Sequence, residues 1–274
     1  MCIIIREDLT RMQSSESDIT SNYLDAFASF AKGSGGKVER FSSIICIRSP
    51  IDFLDFNMAF VENQAGIDYE VLKQVQGFYR EVQVEWCFSV LPGMVNLFEN
   101  VMRHFTISSR RTLPEMILPR ERAKLREPPS DLQVKPVRNM DELRTWANVA
   151  SVGFEMGDPN FFERMASPEG LSSSGFTYYL GWNSEKAVAT SASYVSKGIA
   201  GVYAVCTLPE FRGRGYGEAM SVVAARNGFS KGCNLSSLQA SSVGFPLYYR
   251  MGFRRVFDYE QWVVPRKAPE VRRG

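Results

Sequence analysis

The sequence is poor in the residues on which nucleophilic catalysis and metal binding usually depend. Its 274 residues include one histidine and five cysteines. His104 lies among apolar residues with helical spacing, which predicts that it lies on the surface of a helix. Because it is the single histidine, Ser-His-Asp and Cys-His catalysis would have no general base unless His104 took that role. The cysteines are dispersed and form no Cys-x-x-Cys pair, which predicts reduced thiols in a cytoplasmic protein and no metal site. They are Cys2, Cys46, Cys87, Cys206 and Cys233.

An excess of charge of one sign and long apolar runs are also missing. The formal net charge is +2, which gives no reason to expect nucleic acid as a partner. No apolar run approaches the ~20 residues of a transmembrane helix, so neither a span nor a membrane partner is expected. The chain begins without the basic, apolar pattern of a secretory signal. Apolar and charged contents of 45% and 23% are those of a globular protein.

The most informative stretch covers residues 202–217. An apolar, β-branched strand over residues 202–207 is followed by Pro209 and by Arg212-Gly-Arg-Gly-Tyr-Gly217, and a helix is predicted from Glu218. Glycines let backbone N–H groups converge, and a helix N-terminus adds partial positive charge. The stretch therefore predicts a pyrophosphate cradle. A basic surface turn before an ordinary helix is the alternative.

The spacing of the glycines distinguishes among phosphate sites. Gly213-x-Gly215 is followed by Glu218 where a dinucleotide fingerprint needs a third glycine, and the glycines before Lys37 lead into Val38 where a Walker A loop needs serine or threonine. The pattern Arg212-x-x-Gly215-x-Gly217 resembles the acyl-CoA loop of the GNAT (GCN5-related) N-acetyltransferases. A nucleotide-binding regulator that uses the same turn is a competing interpretation.

A second motif carries the same resemblance. Residues 247–253, Leu-Tyr-Tyr-Arg-Met-Gly-Phe, are similar to the Leu-Tyr-x-x-Leu/Met-Gly-Phe segment that follows the fifth strand of GNAT enzymes. The two motifs stand in the family's order, and the predicted elements over residues 132–264 match its order of strands and helices. The resemblance implies an α/β (α+β) fold with a mixed, mostly antiparallel central sheet flanked by helices.

The first half of the chain resembles the family only in outline. A strand over residues 84–90, a helix over 93–105 and a strand over 112–118 copy the late part of the fold, but residues 62–66 lack the Arg-x-x-Gly-x-Gly turn. We therefore expect a tandem form. Residues 1–125 would be a degenerate GNAT-like domain, and residues 131–274 the catalytic, acetyl-CoA-binding domain. An unrelated α/β cap is the alternative for the first half.

Local patterns give further expectations. Residues 1–18 are predicted to be a loose N-terminus, residues 41–47 and 55–61 to be strands, residues 159–166 a short helix, and residues 167–175 a loop. The charged, proline-bracketed residues 119–129 are predicted to be a linker or a surface helix.

The resemblance implies an N-acetyltransferase that transfers an acetyl group from acetyl-CoA, as cosubstrate, to a primary amine of a small molecule by direct attack on the thioester. Tyr248 matches the tyrosine that often protonates the departing thiolate, although a core aromatic is the alternative. Backbone groups of Val205 and Thr207 would pair with pantetheine amides. Ser241 stands where relatives often carry an asparagine that contacts the cofactor, and a strand-end turn residue is equally expected there. The residues implied around the pyrophosphate are Arg212, Gly213, Arg214, Gly215, Tyr216 and Gly217.

The general base is the point where this chain departs from the family. Many relatives carry a glutamate on the strand that is assigned here to residues 199–207, and this strand has no acid. Glu155, Asp158 and Glu163 are the candidates, and Cys206 is expected to pack rather than react. The missing acid motivates a second hypothesis, a catalytically inactive acyl-CoA-binding sensor or scaffold. The sequence leaves open whether the first half covers the acceptor pocket or forms a homodimer contact.

Overall fold

The computed structural model describes residues 15–172, 175–267 and 271. Its described strands form one sheet in the order β1-β2-β3-β4-β11-β5-β10-β9-β8-β7-β6. The strands are β1 Lys37–Phe41, β2 Ile44–Arg48, β3 Met58–Val61, β4 Trp86–Val90, β5 Ser109–Pro119, β6 Gln133–Pro136, β7 Phe176–Asn183, β8 Lys186–Ser196, β9 Ile199–Thr207, β10 Leu235–Gln239 and β11 Arg254–Val264. The helices are α1 Glu16–Gly33, α2 Tyr69–Arg80, α3 Val95–Met102, α4 Met140–Gly153, α5 Pro168–Ser172, α6 Tyr216–Ser230 and α7 Phe245–Met251.

The two halves of the chain repeat one order of elements. The run β3–α2–β4–α3–β5 in the first half matches the run β9–α6–β10–α7–β11 in the second. Neighbouring strands in the described residues are antiparallel except for the parallel pairs β3/β4 and β9/β10, which occupy equivalent places in the two runs. The expectation of a mixed, mostly antiparallel sheet flanked by helices is confirmed.

The last strand of each half lies between strands of the other half. β11 pairs with β4 and β5, and β5 pairs in turn with β10. Backbone hydrogen bonds therefore join the halves across the middle of the sheet. The division into residues 1–125 and 131–274 stays a prediction.

The first helix also crosses between the halves. Ser15 caps α1, and its hydroxyl accepts a hydrogen bond from the Asp18 N–H at 3.1 Å. The buried face of α1 packs against the second half, where the rings of Phe30 and Phe176 stack with centroids 3.9 Å apart. Phe27 meets the ring of Tyr203 on β9 at 5.9 Å. The first half is thus held against the strand that carries the phosphate-site motif.

Several local expectations were wrong in their boundaries. Residues 41–47 form the end of β1, a turn at Ser42 and the start of β2, because Ser42 adopts a φ of 54° and reverses the chain. Residues 55–61 begin in a 3-10 turn, and β3 starts only at Met58. The buried side chain of Asn57 holds that turn, since it accepts from the Ser49 N–H and donates to the Ile51 carbonyl.

The segment before β7 was also assigned wrongly. Residues 159–166 form turns and one 3-10 turn, Glu163–Met165, whereas the predicted loop contains the helix α5. The Ser167 hydroxyl accepts from the Gly170 N–H at 2.9 Å, and Pro168 opens the helix, which is a common pair of helix-start signals. Residues 173–174 of that loop, residues 1–14 of the expected loose terminus, and Cys2 lie outside the described residues.

The segment after β5 is tied to α6. The surface helix that was one of the two predictions for residues 119–129 does not form, and the segment contains one 3-10 turn, Arg120–Arg122. The Arg226 guanidinium donates to the Leu125 carbonyl at 3.1 Å and pairs with Glu127. Within the described ranges, no helix combines the length and the apolar character that crossing a membrane requires.

Candidate active site

The two parallel strands of the second half separate at one end. β9 and β10 pair from Ile199 and Leu235 to Gly201 and Ser237. Beyond that point, residues 202–205 of β9 and residues 239–241 line the same cavity, whose volume is about 800 Å³. Strands that diverge leave backbone groups without a ladder partner, and such groups need another partner when they are buried. The opening is therefore a place where an extended ligand can insert.

A β-bulge lies at this opening. β9 shifts register against β8, so that Tyr203 faces Ala192 and Cys206 faces Thr190, while Ala204 and Val205 have no residue directly opposite them in the register with β8. Ala204 adopts a φ of 50°, and its carbonyl accepts from the Thr190 hydroxyl at 2.8 Å. Bulges re-aim backbone groups next to functional sites. The bulge leaves Val205, which lines the cavity, without a register partner in β8.

The glycine-rich turn follows β9 after a short 3-10 turn, Pro209–Phe211. Gly213 and Gly215 adopt φ values of 79° and 80°, which an L-residue rarely adopts. α6 begins at Tyr216, two positions earlier than the expected Glu218. The N–H groups of residues 213–218 donate to no backbone carbonyl in the described part of the chain. A run of such N–H groups at a helix N-terminus is a strong anion site.

The two arginines of the turn have different surroundings. The Arg212 guanidinium pairs with Glu155 and donates to the carbonyls of Gly153 at 2.8 Å and Thr207 at 3.2 Å. It therefore braces the turn against α4 and the end of β9. Arg214 is exposed and lies over the ring of Phe211, 5.0 Å from its centroid. Of the two, Arg214 is the one placed to meet a ligand in solvent.

The side chain of Tyr216 is held by polar partners beside the first turn of α6. It is buried, donates to the Asp131 carboxylate at 2.6 Å and accepts from the Asn183 amide at 2.9 Å. These bonds fix the first turn of α6 to the β7–β8 hairpin. The contribution of Tyr216 to an anion is thus limited to its backbone N–H.

Tyr248 lies in the wall of the cavity, on α7. A Cβ on Gly244 would come within 2.8 Å of the Tyr248 ring, so the glycine lets the ring pack against the chain. Burial raises the pKa of Tyr248 to about 12, and a hydrogen bond with Ser221 partly offsets the effect. The phenol therefore stays protonated at neutral pH and can donate a hydrogen bond.

Ser241 lies at the end of β10 and lines the same cavity. Its hydroxyl accepts from the Gly244 N–H at 3.1 Å, and its carbonyl accepts from the Phe245 N–H at 2.9 Å. Ser241 thus holds the turn before α7 and also belongs to the cavity wall. Val205, Ser241 and Tyr248 are brought together in one cavity, while Thr207 and residues 212–217 follow at the end of the same strand.

Cys206 is a packing residue. Its side chain is buried, and its sulfur lies 3.0 Å from the Thr190 hydroxyl. A Cβ on Gly153 would come within 2.5 Å of that sulfur, so α4 packs closely on it. Burial raises the pKa of the Cys206 thiol to about 11, which keeps it un-ionised at neutral pH.

The acids expected near the site lie outside the cavity wall. Among the described residues that line the cavity, neither Glu155 nor Asp158 nor Glu163 appears, and Glu155 is paired with Arg212. The carboxylate in the wall is Asp55, from the first half, and it pairs with Arg111 of β5. Sequence reasoning missed this pair because the two residues are distant in the chain and belong to no motif.

Gln239 was also missed. It lines the cavity, and its amide nitrogen donates to the Glu115 carboxyl at 2.7 Å. Glu115 is fully buried on β5, and burial raises the pKa of its carboxyl well above the ordinary value. The bond crosses between the halves, since Gln239 on β10 faces Glu115 in the β10/β5 register. An isolated glutamine at a strand end carries no sequence signal for this role.

Solved structures show the same fold. A GCN5-related N-acetyltransferase from Kribbella flavida matches with a TM-score of 0.62 and 17% identity, over 88% of this chain and 95% of that one. One from Sphaerobacter thermophilus matches with a TM-score of 0.55 and 15% identity, over 90% and 91%. A tandem GNAT protein from the clavulanic acid biosynthesis pathway matches with a TM-score of 0.57 and 10% identity, over 76% and 75%. By sequence, no family model and no curated protein matches the chain.

These similarities establish the architecture. The chain has the fold of the GNAT acetyltransferases, in a tandem form with two GNAT-like halves. At these identities the likeness extends to the fold alone.

Proposed function

We propose that the chain is an acetyl-CoA-dependent N-acetyltransferase that acts on the primary amine of a small molecule. One observation carries the proposal. A cavity lies between the separated strands β9 and β10, and the chain that leaves β9 reaches, after one 3-10 turn, a glycine-rich turn whose successive N–H groups have no backbone acceptor among the described residues. An elongated ligand with a diphosphate and an extended amide chain fits both features.

The described residues fit the donor in detail. The N–H groups of residues 213–218 and the Arg214 guanidinium would hold the pyrophosphate, which is favoured beside a helix N-terminus. The backbone of Val205, which has no register partner in β8, would pair with the pantetheine amides. Thr207 would extend this pairing through its N–H, because its carbonyl accepts from Arg212. Ser241 would lie beside the pantetheine from the opposite strand.

When bound, the donor supplies an acetyl thioester. The amine nitrogen forms a bond to the carbonyl carbon, the carbon–sulfur bond breaks, and the electron pair leaves on sulfur. The amine loses one proton and the thiolate gains one, so the products are an amide and a thiol. Holding amine and thioester in line supplies much of the acceleration.

Tyr248 would stabilise the departing sulfur. With a pKa of about 12, its hydroxyl remains a donor at every neutral pH. Full transfer of its proton to a thiolate whose conjugate acid has a pKa near ~8.5 is unfavourable. Tyr248 therefore acts first as a hydrogen-bond donor to the developing charge, and removal of one such positioned donor lowers the rate by about 10²–10³.

Calorimetry tests the donor site. Wild-type protein should bind acetyl-CoA and CoA, and Arg214→Ala should weaken binding by about 10-fold, because a hydrogen bond to a charged group is lost. Arg40→Ala is the matched control, since Arg40 pairs with Glu62 just after β3 in the first half. Absence of binding to wild-type protein, or equal losses in the two variants, would refute the proposal.

A catalytically inactive acyl-CoA-binding protein is the second candidate. The absence of an acid from β9 favours it, as does the pairing of Glu155 with Arg212. Binding of acetyl-CoA without turnover of any amine in a broad library would select this candidate.

A further inference from the structure

The cavity beside Tyr248 is lined largely by aromatic rings from both halves. They include Phe27, Phe30, Phe53 and Phe56 from the first half and Phe154 and Phe162 from the second. The rings contact one another, with centroid distances of 5.7 Å for Phe53–Phe162 and 6.1 Å for Phe154–Phe162. Edge-to-face walls of this kind favour a flat or ring-shaped apolar occupant.

The cavity has room for an acceptor with a bulky body as well as for the donor. Its volume of about 800 Å³ lies near the upper end of the range for pockets that enclose drug-sized ligands, and the pantetheine arm beside Val205 and Ser241 would occupy part of it. A short alkylamine would leave most of the apolar wall in contact with water. An acceptor with a ring-sized body would bury that wall, and the burial of apolar area would strengthen its binding.

The charges of the wall exclude a polycation. The ionised residues that line the described cavity are Asp55, Arg111 and Arg255. Asp55 pairs with Arg111, and Arg255 pairs with Asp258. No carboxylate in this wall is left without a cationic partner, so a second or third ammonium group would be desolvated without compensation.

Gln239 offers one acceptor for an amine. Its amide nitrogen is engaged by Glu115, which is fully buried and fixes the amide in one orientation. The carbonyl oxygen of the same amide is then left for an N–H group of the cavity's occupant. One oriented hydrogen-bond acceptor can bind the N–H of one amine group.

We propose that the acceptor is a monoamine on an aromatic or similar ring-sized apolar body, with the rings of both halves around the body and Gln239 at the nitrogen. The inference rests on the proposed acetyltransferase function. It assigns the first half a direct role in acceptor recognition.

The test compares amines of different body and charge with wild-type protein and acetyl-CoA. The probes are 2-phenylethylamine, tryptamine, propylamine and spermidine, and the readouts are thiol release and product mass. We expect kcat/KM for the two ring-bearing amines to exceed that for propylamine and spermidine by at least about 10-fold, from the additional apolar burial. Equal or better turnover of propylamine or spermidine would overturn this inference and leave the acetyltransferase proposal standing. Binding of acetyl-CoA without acetylation of any amine would instead refute the enzyme and this inference together.

A pair of variants locates the effect in the cavity. Phe53→Leu removes a half-buried ring from the wall. Phe41→Leu removes a half-buried ring that lies outside the cavity wall and packs against Phe78. We expect Phe53→Leu to reduce the preference for 2-phenylethylamine over propylamine by about 3-fold or more, and Phe41→Leu to leave this ratio unchanged. An unchanged ratio in Phe53→Leu would contradict the assignment of the ring wall.

Discussion

The two halves share one order of elements, but their parallel strands pair over different lengths in the described residues. In the first half, β3 and β4 pair from Met58 and Cys87 through Val61 and Val90, to the end of both strands. In the second half, β9 and β10 pair over three residues and then separate. Every residue of β3 is buried, so in the first half the strand equivalent to β9 packs in the core.

The helices that follow these strands begin differently. Asp68 caps α2, and its carboxylate accepts from the Val71 N–H at 2.9 Å. Gly215 caps α6 with no side chain, and the N–H groups around it stay available. A carboxylate satisfies and neutralises a helix N-terminus, whereas a glycine leaves it positive. A bulge and a helix cap, rather than the order of elements, therefore distinguish the candidate binding half from the other half.

The largest expected effect concerns the strand that links the halves. Trp262 of β11 is buried, and its ring lies 5.8 Å from Phe98 of the first half. Trp262→Ala should lower the free energy of unfolding by about 3–5 kcal/mol, because a large buried ring is lost. Chemical denaturation measures the loss. Trp182→Ala, at a half-buried site on β7, should lower the free energy of unfolding by less. A larger loss for Trp182→Ala than for Trp262→Ala would contradict a core that the two halves share through β11.

Tyr248→Phe tests the catalytic half directly. We expect kcat to fall by about 10²–10³, with little change in the affinity for acetyl-CoA, because the phenol acts on the departing sulfur. Tyr79→Phe is the matched control in the first half, where the buried hydroxyl donates to the Ile47 carbonyl at 3.2 Å. That control should cost about 1 kcal/mol of stability and leave kcat unchanged. Equal kcat values for the two variants would remove Tyr248 from the mechanism.

A substitution at Gly215 would make the second half resemble the first. Asp and Asn both tolerate the left-handed backbone better than other residues, so Gly215→Asp and Gly215→Asn differ mainly in charge. We expect the Asp variant to bind CoA about 10-fold more weakly than the Asn variant, since it places a carboxylate beside the N–H groups that would hold the pyrophosphate. Calorimetry at low salt measures the ratio, and equal affinities would show that the anion binds elsewhere.

The smallest expected effect is an absence of alkaline inhibition. Because burial raises the pKa of Tyr248 to about 12, the phenol keeps its proton when the pH is raised from 7 to 10. The kcat/KM profile should therefore rise as the amine acceptor loses its proton and should not fall again below about pH 10. A descending limb near pH 8 or 9 would mean that a different acid donates to the sulfur.

Local sequence patterns predicted the elements that carry the site. The strand before Pro209, the arginine–glycine turn, and the helix that ends at Gly252, where φ is 105°, were all recognised because their signals lie within a few residues. The bulge at Ala204 was not recognised from the sequence, because it depends on the register between β9 and β8. Asp55 and Gln239 were missed for the same reason, because their partners Arg111 and Glu115 come from a distant strand.

What the sequence determined by itself is the chemistry of the turn and the position of Tyr248, because glycine spacing, charge and helix capping act over a few residues. The tertiary structure alone decided which strands exchange between the halves, where β9 and β10 separate, and which first-half residues enter the cavity. Those features arise from pairing and packing between residues that are distant in the chain, for example 36 positions apart on β9 and β10 and 124 positions apart on β5 and β10, where no local pattern specifies the partner.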